Sequence, residues 1–179
     1  MAGAVERLTT QDYVREALVV LGEEGPEALT IAGLCERLGV TKGSFYHHFG
    51  GLPGFVDVLL ESWEREEGRR LAAAVRAYPD PGERLAALVE LLVESPHATE
   101  AALRGWGRDR PDVAAAVQRV DRRRERQLAE AMIGYGVERE QARVLARLAV
   151  NAVVGAQHRE QPVDVRRLWQ LFEEFDRLL

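Results

Sequence analysis

The stretch TIAGLCERLGVTKGSFYHHF, residues 30–49, contains two short amphipathic helices and the turn between them. Thr30 is placed to cap the first, and Ile31, Leu34, Cys35 and Leu38 recur at spacings of three and four, the period of one helix face. Gly39 suits a left-handed exit, which is open at least cost to a residue without Cβ. Val40 fills the crease, Thr41 caps a second short helix, and Phe45 and Phe49 lie four apart on its inner face. This is the pattern of a helix-turn-helix, whose second helix enters the major groove of DNA. With the two phenylalanines inward, Thr41, Lys42, Ser44, Tyr46, His47 and His48 are left outward, and Gly43 allows a backbone to approach closely. Amides at both helix starts can meet phosphate. Spacing alone also fits a helical hairpin whose polar face is merely solvated.

Outward from this stretch the chain stays helical. Alternating β-branched residues never persist over a strand length. Thr9-Thr10-Gln11-Asp12 offers a capping-box-like start to a first helix, which carries Tyr13, Ala17, Leu18 and Leu21 on one face and stops at Gly25-Pro26. Pro53 opens a long helix to about residue 77, broken by Tyr78-Pro79-Asp80-Pro81-Gly82. Further helices are predicted over residues 83–94, 96–105, 111–133, 138–158 and 164–178, making nine in all.

The longer run ALTIAGLCERLGVTKGSFYHHFGG resembles the DNA-binding region of the TetR family of bacterial transcriptional regulators, and the likeness extends over residues 10–60. The pattern G-V-[ST]-K-G-[ST]-[FL]-Y-x-H-F is met at every position from Gly39 to Phe49. The resemblance implies an all-α fold: a three-helix DNA-binding domain at residues 1–51 and a C-terminal helical domain at 52–179 that dimerises and binds a small effector. It implies that Thr30, Thr41, Lys42, Gly43, Ser44, Tyr46 and His47 face double-stranded operator DNA, with Thr30, Tyr46 and His47 on the backbone. One position departs from the pattern. Leu52 stands at or near the place of a frequent lysine at the start of the fourth helix, so either affinity is weaker or Arg7 or the N-terminal arm compensates.

Composition limits how DNA can be held. The chain has 24 Lys+Arg against 29 Asp+Glu, a net charge of −5. Residues 1–50 hold 4 basic and 7 acidic side chains, or −3, so the overall field repels phosphate and any grip must be local. Lys42 is the one lysine. Among 179 residues 46% are hydrophobic, enough for a packed core. A single cysteine, Cys35, excludes an intrachain disulfide and a cysteine-rich zinc site, and is expected in the core. No apolar run reaches the roughly 18 residues of a membrane span, and no secretory leader pattern is visible at Met1–Arg7, so a cytoplasmic location is expected.

Other constellations read more plainly. His47 and His48 point about 100° apart on a helix and do not chelate together, so no metal and no cofactor is expected. Arg119, Arg122, Arg123 and Arg126 form a stripe that pairs with Asp121, Glu125 and Glu130 on a solvated face. An all-α enzyme would need an acid/base or metal constellation, and none is visible. Some of Trp63, His97, Arg104, Trp106, Met132 and Tyr135, aromatics and a lone arginine among apolar helices, are expected to line an effector cavity, the alternative for Arg104 and Trp106 being to brace the core. Small residues along 138–158 and the broad apolar face of 164–178 predict a homodimer through Leu145, Ala149, Ala152, Val153, Trp169, Phe172 and Phe175, the alternative being a hairpin within one chain. Together these expectations describe a one-component repressor released from a palindromic operator by a small effector.

Overall fold

A computed structural model describes residues 8–177. Among the described residues every regular element is helical: α1 (Thr10–Glu24), a 3₁₀ turn (Pro26–Ala28), α2 (Ile31–Leu38), α3 (Lys42–Phe49), α4 (Leu52–Ala77), α5 (Pro81–Val93), α6 (His97–Trp106), α7 (Pro111–Tyr135), α8 (Arg139–Arg159) and α9 (Val165–Asp176). The expected bounds hold to within a few residues. The 3₁₀ turn was not anticipated, and α7 runs through Gly134 to stop at Gly136, whose φ of 111° lies in the left-handed region.

Local chemistry explains the boundaries. Asp12 accepts hydrogen bonds from the backbone N–H and the hydroxyl of Thr9 at 2.8 and 2.6 Å, fixing the start of α1. Asp80, Glu138 and Asp164 cap α5, α8 and α9 by accepting amide hydrogen bonds in the first turn.

Two hydrophobic cores result. The first joins α1–α3 to the first halves of α4 and α7 and to α6, around Tyr13, Phe45, Phe55, Leu59, Leu103 and Val120. The second joins the far halves of α4 and α7 to α5, α8 and α9, around Leu88, Leu128, Met132, Ala146, Leu168 and Phe172. Both long helices thread both cores, and each carries a charge where it crosses from one to the other. On α4 the inward series runs Leu59, Trp63, Glu67, Leu71; on α7 it runs Val120, Arg124, Leu128.

Those charges are buried together. Arg124 is 3% exposed, Glu100 1% and Glu67 6%. The Arg124 guanidinium donates to Glu67 at 2.6 Å and to both Glu100 oxygens at 2.6 and 2.9 Å, and Gln157 donates to Glu100 at 2.9 Å. Burial pushes the Glu100 carboxyl up, but Arg124 and Gln157 outweigh it and hold the group below its ordinary value. Burial disfavours the Arg124 cation, and its two carboxylates more than restore it.

Candidate nucleic-acid interface

The three N-terminal helices form one compact unit. Gly39 takes φ 65° between α2 and α3, and its N–H and that of Val40 close the end of α2. Phe45 and Phe49 sit beneath α3 against Tyr13 and Phe55, with ring centroids 4.9–5.9 Å apart. The Tyr13 hydroxyl lies 3.3 Å from Ser44 Oγ, tying α1 to α3. The start of α4 approaches α3 closely: a Cβ on Gly54 would lie 2.4 Å from the Phe49 carbonyl oxygen.

This packing sets the outward face. Thr41, Lys42, Gly43, Tyr46, His47 and His48 are exposed and Ser44 is half-buried. Thr30 and Thr41 cap α2 and α3 by accepting from Gly33 N–H at 3.1 Å and Ser44 N–H at 3.3 Å. The seven residues expected at DNA therefore lie at the two helix starts and along one side of α3. A Cβ on Gly43 would meet only Thr41 Oγ1, at 3.7 Å, so the chain's own packing does not require glycine there. Cys35 is buried, and burial raises its thiol pKa.

The charges around this face are few. Arg37 is committed to Glu16, Glu23 and Glu24. Arg15 is exposed and contacts Asp12 at 3.4 Å. Lys42 makes no ion pair among the described residues, and Leu52 is half-buried at the start of α4. Arg7 and the N-terminal arm lie outside the described residues. No group of three His, Cys, Asp or Glu is placed to hold a metal ion among the described residues.

The expected effector residues do not share one cavity. Met132 and Tyr135 line a cleft of about 680 Å³ between α5, α7 and α9. His97 and Trp106 line another of about 650 Å³ between the end of α1, α6 and the end of α8. Arg104 is bound to Asp121 at 2.6 and 2.8 Å and to Gln157 at 2.9 Å. Trp63 packs into the first core, its indole N–H without a partner among the described residues. Three aromatic residues expected at a dimer contact, Trp169, Phe172 and Phe175, line the α5–α9 cleft within the chain. Leu145, Ala149 and Val153 point into the second core, whereas Val144 (59% exposed), Leu148 (52%) and Leu171 (55%) stand outward.

The arginine stripe of α7 also differs from its expected pairing. Arg119 forms a two-pronged bridge to Glu64, and Arg123 donates to the Glu64 carbonyl. The missed residue is Arg124. Its signal was its place four residues from both Val120 and Leu128, on the inner face of the helix.

Comparison with known proteins agrees with this geometry. The family model for bacterial regulatory proteins, tetR family, matches residues 14–51. The chain is similar to the HTH-type transcriptional regulator BetI of Brucella canis, 26% identical over 102 residues, which are 57% of this chain and 52% of BetI. It thus spans about half the length of the curated relatives it matches. In fold it is similar to a chain described as a TetR-family regulator from Rhodococcus sp., with a TM-score of 0.74 at 15% identity, covering 93% of this chain and 97% of that one. A chain described as a transcriptional regulator from Saccharomonospora viridis, solved with choline, gives a TM-score of 0.73 at 20% identity, covering 93% and 94%.

Proposed function

We propose that the chain is a TetR-type regulator and acts as a one-component repressor. Residues 1–51 grip double-stranded DNA and residues 52–179 dimerise and sense a small effector. The observation that carries the reading is the exposed side of α3. It offers Thr41, Lys42, Tyr46 and His47 beside a glycine that no internal contact demands. Lys42, Tyr46, His47 and Thr30 contact phosphates, while Ser44 and the Gly43 backbone meet base edges.

A homodimer sets two such helices on a palindromic operator, where successive major grooves lie about 34–36 Å apart. The outward residues of α8 and α9, Val144, Leu148, Ala152 and Leu171, supply the contact with the second copy, because Leu145, Ala149 and Val153 are spent on the chain's own core. The function is a binding equilibrium, with no reaction catalysed. An effector that binds one spacing of the helices better than another shifts that equilibrium. A fold neighbour holds choline, and this chain has two cavities large enough for a small organic molecule. No helix among the described residues is long and apolar enough to cross a membrane, which suits a cytoplasmic regulator.

A band-shift with DNA from upstream of the chain's own gene, at two salt concentrations, tests the reading. A retarded species that resists unrelated competitor DNA and weakens with salt is expected. No retardation at the lower salt would refute it.

A further inference from the structure

Tyr13 carries a hydroxyl into the first core. The residue is fully buried, and its ring stands edge-on to Phe45 and Phe49, with centroids 5.9 and 5.1 Å away and planes inclined at 70° and 78°. Those two rings keep its polar end from swinging to water. A buried hydroxyl left unpaired is costly, so the position needs a partner. Among the described residues that partner is Ser44 Oγ, at 3.3 Å. Ser44 is half-buried in the first turn of α3 and is held from a second side, where its N–H donates to Thr41 Oγ1 at 3.3 Å. Phenylalanine at position 13 would fill the same core space without needing a partner.

Two hydroxyls that share one hydrogen bond must divide the roles of donor and acceptor. A phenol is a stronger acid than an aliphatic alcohol, and its oxygen, conjugated with the ring, is the poorer acceptor. Tyr13 therefore donates and Ser44 Oγ accepts. The Ser44 proton is left in one of the two remaining staggered directions, away from Tyr13. A hydroxyl that already accepts one bond donates more strongly and accepts a second less well. An unbiased serine reads base edges as donor or as acceptor and separates them poorly. In the major groove guanine N7 and O6, adenine N7 and thymine O4 accept, whereas cytosine N4 donates.

We propose that Tyr13 is a positioning residue for base readout. It touches no DNA. By donating to Ser44 Oγ it turns that hydroxyl into a donor, which selects guanine, adenine or thymine over cytosine at the base it meets. For the DNA the proposal rests on the regulator reading above; for the polarity of Ser44 it rests on the buried hydroxyl pair alone.

Two measurements test it in the full chain, with Tyr13→Phe, Ser44→Ala and the double variant. Thermal melts need no DNA. Ser44→Ala strands the Tyr13 hydroxyl, so adding Tyr13→Phe to it should raise the melting temperature by about 2–12 °C, while Tyr13→Phe alone should lower it by about 1–6 °C. A change of the same sign in both backgrounds, or none in either, would overturn the pairing. Band-shifts then use the upstream duplex that the wild type retards, together with each single base-pair substitution of it. The base met by Ser44 is the one whose preference Ser44→Ala removes. There the wild type should disfavour cytosine by about three- to tenfold, and Tyr13→Phe should cut that penalty to about twofold or less. Preferences at other positions and the salt slope should stay as in the wild type. A Tyr13→Phe profile identical to wild type, a loss of affinity spread over all positions, or no position answering to Ser44→Ala would overturn the proposal and leave the regulator. No retardation of any duplex by the wild type would remove the regulator, and the base readout with it.

Discussion

Arg124→Met isolates the worth of the buried charge layer. In the native chain the guanidinium joins Glu67 and Glu100 through three hydrogen bonds of 2.6–2.9 Å, and all three residues are nearly sealed from water. Methionine has a similar length and no charge, so it fills the space and takes away the cation the two carboxylates share, leaving Glu67 with Arg70 at 3.0 Å and Glu100 with Gln157 at 2.9 Å and Arg104 at 3.9 Å. Removing one partner of a buried pair costs about 3–5 kcal/mol. For a chain of this size that lowers the melting temperature by about 6–20 °C at pH 7. The pH dependence should also change sign. The native Glu100 carboxyl lies below its unfolded value, so its contribution is present above about pH 4.3 and fades as pH falls through the folded value. Without Arg124, burial outweighs the remaining Gln157 hydrogen bond and Arg104 charge, and the folded value rises above the unfolded one. The penalty is then full at neutral pH and shrinks on acidification toward the unfolded value. Thermal melts followed by circular dichroism at pH 7 and pH 5 should show the gap to wild type narrowing at pH 5. Adding Glu67→Met and Glu100→Met should restore most of the loss. A single variant that melts within about 2 °C of wild type at pH 7 would show that water reaches the layer and refute the argument.

Lys42→Ala should weaken binding to all DNA sequences and flatten the salt dependence by about one unit per protomer, read from band-shifts across a salt series; an unchanged slope would remove the phosphate contact from Lys42. Leu52→Lys should tighten DNA binding, chiefly at low salt, in the same assay. Gly54→Ala should destabilise by about 1–3 kcal/mol although alanine normally favours a helix, because the new Cβ meets the Phe49 carbonyl oxygen at 2.4 Å; a raised melting temperature would contradict it. Leu148→Glu should yield a folded monomer by sedimentation, since the side chain is half exposed, whereas Phe172→Glu should unfold the chain, since that ring is buried. A Leu148→Glu dimer would move the contact elsewhere.

The recognition unit was legible because its information is local. Thr30, Gly39, Thr41 and the Phe45/Phe49 pair act through neighbours three or four residues away, and hydrogen bonds of that range fix the turn. The helix ends were legible for the same reason: proline, glycine and acidic caps act within one turn. The effector residues were not, because aromatic identity does not specify which neighbour a ring meets. Met132 and His97 belong to different cavities for reasons set by α9 and α1, far away in sequence. The residues expected at the dimer contact carry the same ambiguity. On α8 the small, periodic residues Ala149 and Val153 suit close approach by any helix, and here the chain's own core takes them. Arg124 escaped notice because an arginine amid Arg119–Arg126 reads as one more solvated charge unless its register on the inner face is counted.

The charged layer also fixes how the two long helices are keyed to one another. Hydrocarbon surfaces of leucine and alanine tolerate sliding, because one apolar contact replaces another at small cost. A slip of α7 along α4 by one helical turn, about 5.4 Å, would set Arg124 beside Trp63 or Leu71 and leave Glu67 facing hydrocarbon. Only the native alignment brings Arg124 to both carboxylates, so the layer rejects near-native stackings that the two oily cores on either side would accept. It thereby sets one register of α7 on α4 where the two cores meet.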